Sequence, residues 1–188
     1  MFNFSGYAWE QRKLNEVVSR RSKTSKSNSL PTVEFEDINS GVGTLNKNIY
    51  RKSSHKSGIM FISGDILFGK LRPYLKNWLH PNFTGIAVGD FWVFDPQNND
   101  GSFIYYLIQS PKYCEISNLS IGSKMPRSDW QIVSNTFFHI PNVEEQSFIG
   151  KIIKYIDNLI AANQRQQILV GFELLNILNL FKNLNNST

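Results

Sequence analysis

The sequence predicts a mixed α+β fold: a globular domain with a small twisted sheet and flanking helices over residues 1–142, then one long helix over 143–188. Three observations predict it. Short apolar runs bounded by Gly, Asp and Pro recur between residues 32 and 140, the texture of short strands joined by tight turns. No proline follows Pro141, and apolar residues beyond it repeat at alternating steps of four and three. The basic excess lies wholly in the first segment, with 16 Lys and Arg against 11 Asp and Glu before residue 143 and 4 against 4 after it, so the segments differ in chemistry as well as pattern.

Taken in order, residues 9–20 read as a short helix, because Trp9, Leu14, Val17 and Val18 fall near helical spacing. A Ser- and Lys-rich loop over 22–29 follows and ends at Pro31. Residues 32–38 set Val33, Phe35 and Ile38 against Glu34, Glu36 and Asp37, the alternation of a half-buried strand. Gly41-Val42-Gly43 reads as a turn. Runs at 59–62 and 66–68 flank a turn at Ser63-Gly64-Asp65, and runs at 86–88 and 91–94 flank Gly89-Asp90. Residues 101–118 read as helical with a break at Pro111, which cannot sit in a helix interior. A short helix at 129–134 and a strand at 136–140 complete the domain. From Glu144 and Glu145, placed where carboxylates favour a helix start, one helix continues to about residue 184. Its seam is Ile149, Ile153, Ile156, Ile160, Asn163, Gln167, Val170, Leu174, Ile177 and Phe181, a heptad pattern held for more than four heptads. Such a helix is too long to fold back into a small domain, so it is expected to project. Its adjacent polar seam residues, Asn163 and Gln167, are the kind that fix register and partner number.

Hydrophobic residues make up 41% of the chain, enough for a real core and too many for a disordered chain. The single cysteine, Cys114, has no partner for an internal disulfide or a cysteine-rich zinc site, and reads as a core thiol in a reducing cytoplasm. Met1 to Gly6 lacks the basic start and apolar run of a secretion signal, and no apolar stretch has membrane-spanning length. A cytoplasmic protein with no membrane association is the expectation.

Catalytic patterns are sparse. The phosphate-binding G-x-x-x-x-G-K-[ST] loop is absent, and no G-x-G-x-x-G follows a strand. His55, His80 and His139 share no metal-ligand spacing. Glu34, Glu36 and Asp37, or Asp65 with Lys70, are the carboxylate groupings that could serve a metal-dependent nuclease. Acids alternating along a strand are more often its solvent face. The expectation is no catalytic residue, no metal and no cofactor on this chain, with a free-standing nuclease or a helical adaptor that does not bind DNA as alternatives.

Basic residues concentrate in loops beside predicted strands, where recognition residues sit on rigid scaffolds. They form four groups: Arg20, Arg21, Lys23 and Lys26; Lys47, Arg51, Lys52, His55 and Lys56; Lys70, Arg72 and Lys76; and Lys124 with Arg127 after Ser123. Any one lysine is most simply a solvated side chain. Four groups on one domain suit phosphate neutralisation. The residues expected to contact DNA are Lys23, Lys26, Lys47, Arg51, Lys52, Lys56, Lys70, Arg72, Lys76, Ser123, Lys124 and Arg127, with loops 43–58 and 112–124 as candidates for base reading.

Several motifs, in order, resemble one family. Trp9-Glu10-Gln11-Arg12-Lys13-Leu14 resembles the opening of a recognition domain in type I restriction-modification specificity subunits. Gly64-Asp65-Ile66-Leu67-Phe68-Gly69-Lys70-Leu71-Arg72-Pro73-Tyr74 resembles that family's G-D-[IV]-L-x-x-[KR]-x-R-P pattern. Gly122 to Arg127 with Trp130 resembles its G-[ST]-x-x-P-R segment. Ile140-Pro141, Glu144-Glu145-Gln146, Asp157 and Ile160 resemble the start of its long helix.

The resemblance implies a half-length specificity subunit, with one target recognition domain and one long helix where the full subunit has two of each. It implies double-stranded DNA, modification subunits and restriction subunits as partners, and a homodimer through an antiparallel coiled coil of the long helices. It further implies that S-adenosylmethionine, ATP and Mg are used by those partner subunits and not by this chain.

Overall fold

A computed structural model describes residues 9–26, 29–51, 56–119 and 124–185, with the side chains of Arg51, 171–172 and 174–185 outside the description. The chain divides into two compact units, residues 1–150 and 151–188.

The strands of the first unit are β1 (Glu10–Lys13), β2 (Ser19–Arg20), β3 (Thr24–Ser25), β4 (Thr32–Val33), β5 (Ile38–Asn39), β6 (Thr44–Leu45), β7 (Gly58–Phe61), β8 (Ile66–Gly69), β9 (Trp78–Leu79), β10 (Gly85–Ala87), β11 (Phe91–Asp95) and β12 (Phe137–Ile140). The helices are α1 (Leu14–Val17), α2 (Gly101–Leu107), α3 (Pro111–Ser117), α4 (Trp130–Asn135) and α5 (Val143–Asn185).

The central sheet runs β2-β11-β8-β9, and its two middle strands are buried on both faces. Successive side chains of a strand point to opposite faces. Ile66, Phe68, Trp78, Trp92 and Phe94 therefore enter one core with the helices, which add Leu14, Val17, Phe103, Ile104, Ile108, Tyr113 and Val133. Leu67, Leu79, Phe91 and Val93 enter a second core with Val33, Ile38, Ile49, Phe61 and Ala87. Burial on both faces explains why β8 and β11 are written as unbroken apolar runs and not as alternating ones. The second sheet runs β3-β7-β10-β4, antiparallel except where β10 pairs with β4.

Each pair of apolar runs split by a Gly-Asp turn crosses from one sheet to the other. β7 and β10 lie in the second sheet, and the strands after them, β8 and β11, lie in the central one. The turns need Gly64 at φ +89 and Gly89 at φ +102, backbone that side-chain-bearing residues rarely adopt. Asp65 locks the first corner. Its carboxylate accepts the Ile62 backbone N–H at 2.8 Å and a two-point grip from Arg21 at 2.6 and 2.9 Å, and Arg21 also reaches Asp95 at 3.2 Å.

Two expectations fail here. Residues 9–20 are not one helix: β1 pairs antiparallel with β12, one turn of helix follows, and β2 joins the central sheet. Non-local pairing with residues 137–140 overrides a weak local periodicity. Residues 32–38 are not one strand either. β4 stops at Val33, a 3-10 turn covers Phe35–Asp37, and β5 pairs with β6 as a separate hairpin. The cause is Asp37, fully buried, whose carboxylate accepts the Glu34 backbone N–H at 2.8 Å and bends the chain. Cys114, expected in the core, is half-buried at its edge, and burial raises its thiol pKa.

Caps set the helix starts. Asp100, Ser110 and Asp129 accept N–H groups at the first turns of α2, α3 and α4, and Pro111 starts α3 where its missing N–H is harmless. Asn142 does the same for α5, its side chain accepting from the Glu145 N–H at 2.9 Å. One turn further, the buried Gln146 donates to Asn99 Oδ1 and the Pro141 carbonyl while accepting from the Asp100 N–H. Its amide thus binds the start of α5 to the start of α2. Beyond Gly150, α5 continues as helix to Asn185.

Candidate nucleic-acid interface

The connection from β8 to β9 is an unusual piece of backbone. Arg72 (φ +49) and Lys76 (φ +56) are both left-handed without being glycine, and between them Pro73–Leu75 forms a 3-10 turn. Each such residue costs about 1–2 kcal/mol, so the surroundings must hold the loop in shape. Three segments do. The 126–128 segment pairs with it through a Leu71–Arg127 bridge, with Arg72 N–H donating to the Pro126 carbonyl at 2.7 Å and Ser128 N–H to the Lys70 carbonyl at 2.9 Å. From the Gly89-Asp90 turn, the Asp90 carbonyl accepts the Lys70 N–H at 2.9 Å. The β5–β6 hairpin contributes Gly41, whose N–H donates to the Lys76 carbonyl, and Ser40, whose hydroxyl donates to Asn77 at 2.8 Å.

Two sequence motifs some fifty residues apart therefore form one surface. Lys70, Arg72, Lys76 and Arg127 lie on these paired segments, with Lys124 two residues before Pro126, and all but the half-buried Lys70 are exposed. Asp90 pairs with Arg127 at 3.1 Å and lies 3.7 Å from Lys70. Arg72, Lys76 and Lys124 carry no ion pair among the described residues, so their charge is available to an anion.

The other predicted cations fall elsewhere. Lys23 and Lys26 flank β3, and Lys23 lines a groove of about 350 Å³ with Ser19 to Ser22, Met60, Ile62 and Asp95. Lys47 pairs with the buried Asp37 at 2.7 Å, and Lys56 with Glu34 at 2.6 Å. These two lysines neutralise the acids of the 34–37 turn. Arg51 lies in a 3-10 turn; its side chain, Lys52 and Ser123 fall outside the described residues. Of loop 112–124, the first part is helix α3.

The carboxylates weighed for metal chemistry are otherwise engaged. Asp65 is held by Arg21, Glu34 by Lys56 and Asp37 by Lys47. Among the described residues, no three His, Cys, Asp or Glu side chains gather as a metal site.

One feature the sequence did not show is the stacking of Arg20 on two tryptophans. Its guanidinium lies 4.4 Å over the Trp130 ring and 5.8 Å from that of Trp92, and desolvation there lowers its pKa from the ordinary value. Such stacking contributes about 0.5–1 kcal/mol at exposed sites. Arg20 and Trp130 are 110 positions apart, and no local signal joins them.

Comparison with known proteins decides the family. Residues 7–170 match the model described as type I restriction modification DNA specificity domain. The chain belongs to that specificity-domain family. A curated relative, the type I restriction enzyme MjaVIII specificity subunit of Methanocaldococcus jannaschii, is 29% identical over 178 residues, covering 85% of this chain and 42% of that protein. The fold is similar to the crystal structure of the HsdS subunit from Thermoanaerobacter tengcongensis, with a TM-score of 0.66 at 21% identity, covering 85% of this chain and 44% of that one. It is also similar to a chain from a structural study of complex assembly and conformational transition of the type I R-M system, with a TM-score of 0.64 at 20% identity over 85% and 45% of the two chains. The specificity domain thus spans less than half the length of each of these relatives. The family is a non-catalytic, DNA-recognition class. Among the described residues, no helix is long and apolar enough to cross a membrane.

Proposed function

We propose that this chain reads one half-site of a bipartite DNA sequence for a type I restriction-modification complex. The convergence of Lys70, Arg72, Lys76, Lys124 and Arg127 on one braced surface carries the reading. Phosphate contacts from such cations set the register of a protein on DNA, and neighbouring loop side chains then read base edges. Lys23, Lys26, Lys47, Arg51, Lys52, Lys56 and Ser123 are proposed as further contacts, with Lys47 and Lys56 exchanging their acid partners for phosphate.

α5 is proposed to pair antiparallel with the same helix of a second copy and to form a docking site for modification subunits. Ile156, Ile160 and Val170 of the seam are exposed at 47%, 50% and 49%, and flanking Tyr155, Leu159, Ile168 and Leu169 are exposed as well, so one helix leaves its apolar stripe in water. In the assembly, modification subunits bind S-adenosylmethionine and methylate adenine, and restriction subunits use ATP and Mg. This chain supplies the address, not the chemistry.

Selection from a random duplex pool tests the reading. The full chain is expected to enrich one short sequence, with affinity falling steeply and log-linearly with salt. Enrichment of no sequence, with affinity indifferent to salt, would contradict it.

A further inference from the structure

The knuckle between the two left-handed residues carries more than charge. Pro73 is buried, but Tyr74 and Leu75, the next two residues of the turn, are exposed at 55% and 40%. Two other exposed apolar residues belong to the bracing segments. Val42, at the tip of the β5–β6 hairpin and next to Gly41, is 65% exposed, and Met125, next to Pro126, is 44% exposed. Arg72 and Lys76 flank the turn in the chain, and Lys124 and Arg127 belong to the segment paired with it; all four are exposed. A surface that only gripped phosphates would have no use for a tyrosine and a leucine at its summit. Strained backbone held by several neighbours is also how proteins fix a side chain that must push.

We infer that the Tyr74–Leu75 knuckle is a wedge that enters a base-pair step of the bound half-site and partly unstacks it. The inference rests on the DNA-recognition reading above and assigns a second task to the same surface. Apolar side chains flanked by arginine and lysine open base steps in this way, the cations holding the backbone while the wedge replaces a lost stacking contact. The consequence for partners is direct. A base that is to be modified must leave its stack, and a step already opened by the specificity chain lowers the unstacking required of the enzyme that acts on it. The charge of these segments favours DNA over a protein as the occupant: four exposed cations lie on the knuckle and the segment paired with it, and Asp90 is paired with Arg127.

The test uses the full chain and the duplex it selects from a random pool, with 2-aminopurine placed in turn at each adenine. Binding is expected to raise the emission about threefold at one or two positions, the signature of an unstacked base. Tyr74→Ser with Leu75→Ser, both at exposed positions, should abolish the rise and weaken binding about tenfold while leaving the salt slope unchanged. Tyr74→Phe with Leu75→Met should restore it. Wild-type chain that binds the duplex with no rise at any position overturns the wedge and leaves DNA recognition standing. Serine variants with a full rise overturn it too, as does a variant whose only loss is co-purification of the modification subunit, which would make the knuckle a protein dock. If no duplex is selected at all, the recognition reading falls and the wedge with it.

Discussion

Arg21 and Arg72 both stand in basic stretches, and the structure gives them opposite work. Arg21 is turned inward to a carboxylate that is 2% exposed. Removing it strands a buried charge, so Arg21→Ala should lower stability by about 3 kcal/mol, read from the midpoint of urea unfolding. Arg72 faces solvent in a left-handed conformation. Arg72→Gly should therefore raise stability by about 1 kcal/mol by relieving strain, yet weaken DNA binding by about 1–3 kcal/mol. Opposite signs in the two measurements separate a binding residue from a folding one, and a loss in both would refute the assignment. Tyr113 adds a pH dependence. Its buried hydroxyl has no hydrogen-bond partner among the described residues, and burial pushes its pKa well above the ordinary value. A raised acid keeps its full contribution below the unfolded pKa, about 10, and loses it as pH rises beyond. Melting temperature should fall above about pH 10 in wild type and fall less in Tyr113→Phe, which should also be about 1 kcal/mol more stable at neutral pH. At this scale the sequence was legible in the exposed motif cations, such as Arg72 and Arg127, on which the proposed interface rests. It was silent on Arg21–Asp65 and Arg20–Trp130, because each pairing is made by the fold across 44 and 110 positions.

The long helix shows the other side of legibility. Its period, lack of proline and acidic first turn all lie within the segment, and the observed α5 matches the expected span to within a residue or so. The split of 101–118 at Pro111 was legible for the same reason. Residues 9–20 and 32–38 were misread because their conformations are set elsewhere, by β12 for the first and by the buried Asp37 for the second. At the start of α5, Gln146→Leu should orphan the groups at Asn99, Asp100 and Pro141 and destabilise the domain by about 1–3 kcal/mol, again by urea unfolding. Along the seam, Ile156→Lys with Ile160→Lys puts charge into the proposed helix pair. Light scattering should then report a monomer, and a dimer mass would count against pairing through this face. Asn163→Leu should raise the melting temperature of the pair while loosening its register.

At the scale of the whole molecule, the basic excess sits on the globular segment and the apolar seam on the helix, so the proposed DNA contact and the proposed assembly fall to different parts of one chain. That division predicts separable defects: Arg72 and Arg127 variants should assemble normally and fail on DNA, whereas seam variants should fail to assemble. On this reading the chain alone supplies the address. Its most direct test is to co-express the chain with a cognate modification subunit and sequence the host DNA for methylated adenine. The expected result is a new, symmetric, two-part methylated motif, which disappears with Arg72→Ala and Arg127→Ala combined. A soluble complex that adds no methylated motif would contradict it.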